Sequence, residues 1–195
     1  MSLVTRRTAS LALASLAFAG KASARPPTVP LVDLPGPGGV FGINGVDLFR
    51  GQAVAQRFTV PAEGEFRLAR VGFWLMNNSD VERRFLRVQV RMDALDTGGA
   101  ESMPGRHTIE EWTGRVGTLG WTPVEQFFRS ERGPRLEAGH DYWVVAGSRA
   151  EGGVDPVWLF AKQGSEVGSQ NSGTGWAPGI AQAALTLRVD AFSEA

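Results

Sequence analysis

The chain has 195 residues, of which 43% are hydrophobic and none is cysteine. This length allows one domain with a sizeable apolar core, and the lack of cysteine excludes disulfide bonds, thiolate metal ligands and a cysteine nucleophile. The 20 basic and 20 acidic residues balance, which excludes the strong basic field that drives non-specific nucleic-acid binding.

The first 24 residues have the three parts of a secretory signal peptide. The Arg6-Arg7 pair forms a positive region, residues 9–20 form a short apolar stretch, and Ala22–Ala24 supplies the small side chains of a cleavage site. The apolar stretch is too short to cross a membrane, which takes about 20 residues. The sequence therefore predicts cleavage after residue 24 and export to the periplasm or the exterior of a bacterial-type cell.

The predicted cleavage changes the charge of the chain. Residues 1–24 contain three basic residues and no acidic one, so the mature chain keeps 17 basic and 20 acidic residues, a net charge of −3. The arginine pair fits the twin-arginine export route as well as an ordinary positive region, and both routes remain open. No second apolar stretch is long enough to anchor the mature chain in a membrane.

Proline and glycine dominate residues 25–39, which predicts a linker ahead of one domain over residues 40–195. Apolar and polar side chains then alternate at residues 86–92 and 185–191, as in strands with one buried face. Other segments are rich in valine, phenylalanine and tryptophan, which also favour strands. They are residues 56–60, 66–76, 124–128, 142–146 and 157–161.

Helical patterns are nearly absent from the mature chain, and the best candidate is the short segment His107–Thr113. Residues 164–179 are rich in glycine, serine and asparagine, which predicts a flexible loop over one end of the domain. Seven or eight strands separated by turn residues predict an all-β fold, an antiparallel β-sandwich, with the jelly-roll as the favoured topology.

Two segments carry a family resemblance. The first reads Q-R-F-T-V-P at residues 56–61 and leads into the apolar strand at 66–75; the second reads L-E-A-G-H-D-Y-W at 136–143. With the final strand, they resemble the jelly-roll domains of secreted bacterial proteins called choice-of-anchor domains, which look like distant relatives of carbohydrate-binding modules. The resemblance covers residues 50–191 and implies no catalytic residues. Family members usually end in an anchoring tail, which this sequence lacks, so a soluble exported domain is expected.

Few residues offer metal or catalytic chemistry. His107 with Glu110 and Glu111 would supply two metal ligands or an acid and a base, but the same residues also fit the start of a solvated helix. The loop at residues 93–101 has oxygen ligands for calcium but lacks the D-x-D-x-D-G pattern, so a polar hairpin loop explains it better. The sequence therefore predicts no metal site and no cofactor.

Carboxylates could support glycoside hydrolysis, which needs two acids about 5–9.5 Å apart. Sequence spacing does not test such a pair across strands, and candidates such as Glu125 and Asp141 occupy ordinary outward positions of strands. No G-x-S-x-G elbow supports a serine triad. The sequence therefore favours a non-catalytic protein and keeps a secreted hydrolase as a less favoured alternative.

Six tryptophans are the most suggestive functional feature, because indole rings stack on the faces of sugars and also fill cores. Those inside apolar strands are expected to pack in the core or on the sheets, and those in or beside loops are the candidate ligand-binding residues. The strand group is Trp74, Trp143 and Trp158. The loop group is Trp112, Trp121 and Trp176. The favoured function is an exported module that binds a glycan or another envelope component, and the alternative is a structural or protein-interaction domain without a small ligand.

Overall fold

The computed structural model of the chain describes nine stretches, and the predicted signal peptide lies outside them. They are residues 27–34, 36–37, 45–77, 85–116, 119–149, 156–162, 168–171, 175–178 and 184–194. These residues form thirteen strands and one 3-10 turn at Leu95–Thr97. The strands are β1 (Thr28–Leu34), β2 (Gly45–Asp47), β3 (Ala53–Thr59), β4 (Glu65–Asn77), β5 (Phe85–Asp93), β6 (Pro104–Arg115), β7 (Val124–Arg129), β8 (Arg135–Leu136), β9 (Asp141–Ser148), β10 (Pro156–Leu159), β11 (Gly168–Asn171), β12 (Trp176–Pro178) and β13 (Leu187–Glu194).

The first sheet is built around the long strand β4. Strands β13 and β10 pair in line with one edge of β4, while β8 and β7 pair with its other edge. Strand β1 extends the sheet beyond β13, and β2 extends it beyond β10. The second sheet has the order β12-β11-β3-β9-β5-β6, and every pairing in both sheets is antiparallel.

The eight strands β1, β3, β4, β5, β6, β7, β9 and β13 form a jelly-roll. Counted one to eight along the chain, they are ordered 1-8-3-6 in the first sheet and 2-7-4-5 in the second. This is the two-Greek-key arrangement of a jelly-roll sandwich. The predicted all-β, antiparallel sandwich and its jelly-roll topology are confirmed, and the remaining five strands extend the two sheets.

Strand alternation places the core between the two sheets. In β5, Leu86, Val88 and Val90 are buried in the core, while Arg87 and Arg91 point to the outer face. The other inner faces contribute leucine, valine and aromatic side chains in the same way. The outer face of the second sheet is therefore free to carry polar groups, and the candidate site lies there.

Strand β1 corrects the predicted linker at residues 25–39, because Thr28–Leu34 pairs with β13 and belongs to the sandwich. The sequence pattern does not predict this strand, because Pro30 lies within it and other prolines flank it. Proline is tolerated on an edge strand, where its missing N–H is not needed, and the register is irregular between Pro30 and Val32. The sandwich therefore begins before residue 40.

Two further segments differ from expectation. The helix candidate His107–Thr113 lies in β6, where Ile109 is the extra residue of a β-bulge opposite Val90 and Arg91. The bulge breaks the period-two alternation, so the strand is not visible as one in the sequence. Part of the predicted loop at residues 164–179 forms β11 and β12, which add to the edge of β3. Within the described part of the chain, there is no helix of the length and apolarity needed to span a bilayer.

Tyr142, the only tyrosine of the chain, allows a direct test of the core. Its ring stacks on Phe58 with 5.8 Å between centroids, and its oxygen accepts a 2.9 Å hydrogen bond from the backbone N–H of Glu137. Burial raises the pKa of Tyr142 above its ordinary 10.0, and the charges of Glu137 and Asp96 add to this effect.

We expect the tyrosinate absorbance of the folded protein to appear at a higher pH than that of the chain unfolded in guanidinium. Because the folded pKa of Tyr142 is the higher one, its contribution to stability is complete below pH 10.0 and is lost as the pH rises through the folded pKa. A spectrophotometric titration measures both midpoints, and coincident midpoints would show that the ring is not buried.

Candidate functional site

The candidate site is a groove on the outer face of the second sheet. One section has a volume of about 500 Å³ and lies over β3, β5, β6 and β9, with Phe85 and Arg149 at its end. The adjoining section, of about 900 Å³, lies over the loop after β5 and the start of β6. Both sections share Arg91 and Asn171, so we treat them as one continuous groove.

Strand register sets the side chains of the groove in rows across the sheet. One row is Asn171, Ala53, Gly147, Arg87 and Thr113, in the order of strands β11, β3, β9, β5 and β6. Because Gly147 has no side chain, the floor of the groove is low at the centre of this row. The other rows run parallel to it. They are Ala55, Val145, Gln89 and Glu111, followed by Arg57, Trp143 and Arg91.

A chain of planar polar side chains lines one wall. Arg87 donates through Nε at 3.2 Å and Nη2 at 2.9 Å to the two carboxylate oxygens of Glu111. Gln89 donates to Glu111 at 2.5 Å and accepts from Arg91 Nε at 3.0 Å and Nη2 at 2.5 Å. These linked bonds fix the side chains before any ligand arrives, which lowers the entropy cost of binding.

Glu111 and Arg91, the two charged groups on either side of Gln89, differ in their electrostatics. The hydrogen bond from Arg87 lowers the pKa of Glu111, against a smaller opposing effect of burial. Burial lowers the pKa of Arg91, the neighbouring charge of Arg87 lowers it further, and Glu111 opposes both. Glu111 therefore has a full cationic partner, whereas the hydrogen-bond acceptors of Arg91 are neutral, namely Gln89 and the carbonyl of Gly105.

An apolar patch forms the opposite side of the groove. Ala55, Trp143 and Val145 are buried on the outer face of the sheet, and the partly exposed Trp176 of β12 packs against them. Trp176 also lines the second section of the groove. The groove therefore presents an indole ring on one side and hydrogen-bonding groups on the other.

Asp93 lies on the same outer face of the sheet, buried beside the groove. Its carboxylate is 1% exposed and accepts hydrogen bonds from Trp143 Nε1 at 2.6 Å, Ser102 Oγ at 2.6 Å and the backbone N–H of Leu95 at 2.8 Å. The bond to Leu95 starts the 3-10 turn, which ends at Gly98 with a φ of 89°. This network ties the loop of residues 94–103, which forms one wall of the groove, to the buried indole of the sheet.

The structure does not bring the three loop tryptophans together. Trp112 lies in β6, its ring packs against Phe128 at 5.9 Å, and its Nε1 donates to the carbonyl of Arg129 at 2.8 Å. It borders a hollow between β6 and β7 that shares Glu111 and Thr113 with the groove, but the ring itself packs against the core side of β6. Trp121 lies between these strands and is 60% exposed. Only Trp176 lines the groove, so it is the one of the three that the geometry supports as a binding residue.

The strand tryptophans pack as the sequence predicts. Trp143 and Trp158 are buried, and Trp74 lies half-buried against Met76, Val157 and Leu159 on the outer face of the first sheet. The tyrosine next to Trp143 points the other way, into the core, as strand alternation requires.

The candidate catalytic and metal residues are dispersed. His107 is exposed in the groove, whereas Glu110 is buried and accepts a hydrogen bond from Ser130 at 2.8 Å. Asp96, in the loop weighed as a calcium site and read as a polar hairpin loop, lies 3.2 Å from His140 Nδ1. Asp141 accepts hydrogen bonds from Thr59 and Arg57. Among the residues that the structure describes, no three histidine, cysteine, aspartate or glutamate side chains converge as a metal site would require.

The polar residues of the groove were not singled out by the sequence. Arg87, Gln89 and Arg91 are visible there only as the outward face of an alternating strand. Their contact with Glu111 depends on β5 and β6 being neighbours in register, which a single sequence does not specify.

No known protein-family model matches the chain, and no curated protein is similar to it in sequence.

Proposed function

We propose that the mature protein is an exported, non-catalytic module that binds a glycan in the groove. The export part of this proposal depends on the signal-peptide pattern of residues 1–24 and the binding part on the groove. The resemblance to secreted jelly-roll domains supports the same class of protein. No nucleic-acid partner is proposed, because the mature chain is slightly acidic.

One observation supports this function most strongly: a partly exposed indole lines one section of an open groove, and pre-positioned planar hydrogen-bonding groups line the adjoining section. Sugars present flat C–H faces, on which an indole stacks, and pairs of hydroxyls, which arginine, glutamine and glutamate side chains bind. Trp176 supplies the first kind of contact, and Arg87, Gln89 and Glu111 supply the second. An open groove with two continuous sections suits a chain of sugars better than a single small molecule.

A glycoside hydrolase fits the same groove less well. Hydrolysis needs two carboxyl groups about 5–9.5 Å apart, one of which must donate a proton. The carboxylate that lines the groove is Glu111, and Arg87 lowers its pKa. A carboxylate held in its charged form by a bidentate arginine is suited to binding hydroxyl groups rather than to protonating a leaving group.

Substitution of Trp176 by alanine tests the proposal. We expect glycans identified on an array with the wild-type protein to lose most of their affinity, by about tenfold or more, because the stacking surface is removed. Tryptophan fluorescence should shift on binding in the wild type. The matched control is Trp121→Ala, which removes an indole that is 60% exposed outside the groove and should leave affinity unchanged.

A second variant blocks the groove without removing any contact group. A Cβ added at Gly147 would meet only ordinary contacts, at 3.6 Å from Gln52 O and 3.8 Å from Ala53 Cβ, and valine suits a strand. Gly147→Val should therefore fold normally and lose affinity. Unchanged binding in both Gly147→Val and Trp176→Ala, or loss of binding in Trp121→Ala alone, would refute the groove as the glycan site.

The alternative function, a protein-interaction domain, is favoured by the edge strand β7. Val124 and Phe127 are 37% and 42% exposed there, and Trp121 lies just before them. Exposed apolar side chains grouped at a sheet edge are typical of contact surfaces between proteins. If no glycan on the array binds, this interpretation takes the place of the first.

A further inference from the structure

The charges of the groove point to the class of glycan, an inference that rests on the proposed function. Four arginines line its two sections, and one carboxylate, Glu111, does so. The arginines are Arg87, Arg91, Arg106 and Arg149. This surplus of positive charge lies on a mature chain whose net charge is −3, so the surplus is local to the groove and is not a general property of the protein.

Among the described residues, a single one of the four arginines has a carboxylate partner in the groove. Arg87 forms the bidentate pair with Glu111. Among the described carboxylates, none lies within ion-pair distance of Arg91, Arg106 or Arg149. Arg149 stacks on the ring of Phe85 at 4.7 Å from its centroid, an arrangement that leaves the edge of the guanidinium for other contacts.

Arg91 is central to the inference because it is shared by the two sections and partly buried. Its contacts orient the guanidinium: Gln89 holds Nε and Nη2, and the Gly105 carbonyl accepts from Nη1 at 3.5 Å. Burial of a cation against neutral acceptors is costly, as its lowered pKa reflects. Asp93, the nearby buried carboxylate, has three donors of its own and does not line the groove.

We propose that the groove binds an acidic glycan, with Arg91 as the principal contact for its carboxylate or sulfate groups. A guanidinium binds such groups through two parallel hydrogen bonds, which are shorter and stronger than bonds between neutral groups. Arg106 and Arg149 lie toward the two ends of the groove, where they meet further charges along a repeating acidic chain. The indole of Trp176 stacks on the sugar ring itself.

The test compares glycans that differ only in charge. Binding of polygalacturonate is measured against its fully methyl-esterified form, and binding of dextran sulfate against dextran, by titration calorimetry at two salt concentrations. We expect the wild-type protein to bind at least one charged member about tenfold or more tightly than its neutral counterpart, and to lose that preference as salt increases. The two pairs distinguish a carboxylate from a sulfate ligand.

Variants then assign the effect to Arg91. Arg91→Gln should lower the affinity for the charged glycan to the affinity for the neutral one. Arg91→Lys should retain part of the preference for the charged glycan. Arg135→Gln makes the same change of charge on the other sheet, where the side chain is 65% exposed, and should have no effect. Glu111→Gln should strengthen binding of the charged glycan, because it removes the negative charge of the groove and the competitor for Arg87.

Three outcomes would overturn the acidic-glycan proposal. In the first, neutral and charged glycans bind equally and Arg91→Gln changes nothing, while Trp176→Ala abolishes binding; the proposed glycan-binding function then stands and its charge preference fails. In the second, poly-glutamate competes as well as the charged glycan, which shows a general anion surface. In the third, no glycan of either kind binds, and the proposed function fails together with the inference. Circular dichroism of each variant confirms that it is folded.

Discussion

Replacement of Trp158 by alanine should lower the free energy of unfolding by about 3–5 kcal/mol, the cost typical of deleting a buried aromatic side chain. Trp158 is fully buried in β10, and its ring stacks on Phe73 with 4.5 Å between centroids. Its Nε1 donates a 2.7 Å hydrogen bond to the carbonyl of Thr186. The substitution therefore leaves a cavity at the centre of the sandwich and removes the partner of a buried carbonyl.

Denaturant titration followed by far-UV circular dichroism measures this loss. Domains of this kind are stable by about 5–15 kcal/mol, so the alanine variant should unfold at a much lower denaturant concentration or fail to fold. Trp158→Phe is the graded control, because it keeps the ring against Phe73 and loses only the hydrogen bond and part of the volume. A loss of about 1–2 kcal/mol is expected for it. Equal stability of the alanine variant and the wild type would contradict the described core.

The core and the topology class could be predicted because they depend on patterns within single segments. Leu86, Val88 and Val90 alternate with polar residues and are buried, and the dense strands around Phe73 and Trp143 fit a two-layer sandwich. The tryptophans of the apolar strands pack as expected for the same reason. Turn residues between such segments then limit the chain to an antiparallel arrangement.

Three of the strands that sequence reasoning missed break a simple period, and the others, β2, β8 and β12, have only two or three residues. Pro30 interrupts β1, the bulge at Ile109 shifts the alternation of β6, and β11 has the glycine- and serine-rich composition of a loop. In each case, pairing with a neighbouring strand decides the local structure, and the partner is distant in the sequence. The buried Gln56 likewise depends on a partner that is distant in the sequence. Its amide oxygen accepts a 2.8 Å hydrogen bond from the backbone N–H of Leu185.

The candidate site was the least predictable part of the molecule. Tryptophans beside loops are candidate sugar-binding residues. Trp112, however, packs against Phe128 of β7 and donates a hydrogen bond to the carbonyl of Arg129. The groove instead depends on outward side chains of strands that come together only through sheet order. Arg91 and Glu111 are 20 residues apart in sequence, and no sequence motif relates one to the other.

The second large effect is expected at Asp93, which connects the sheet to the loop that forms a wall of the groove. Asp93→Ala removes the acceptor of the buried Trp143 Nε1–H, of Ser102 Oγ and of the Leu95 N–H. We expect a loss of about 2–4 kcal/mol, because a buried donor is left without a partner and hydrogen bonds to a carboxylate are strong. Asp93→Asn keeps the shape and part of the acceptor capacity, so it should lose less.

A double-mutant cycle with Trp143→Phe isolates the bond at the centre of this network. Phenylalanine at position 143 has no N–H to satisfy, so Asp93→Ala should cost less in that background, with a coupling of about 1–3 kcal/mol between the two sites. Hydrogen exchange provides the local readout, since the amide of Leu95 should exchange faster once its acceptor is gone. Glycan affinity should fall as well, because the loop of residues 94–103 lines the second section of the groove. If the two substitutions are strictly additive in stability, the hydrogen bond between Asp93 and Trp143 does not stabilise the loop, and its order comes from the other bonds of residues 94–103, such as that between Ala94 N and Met103 O.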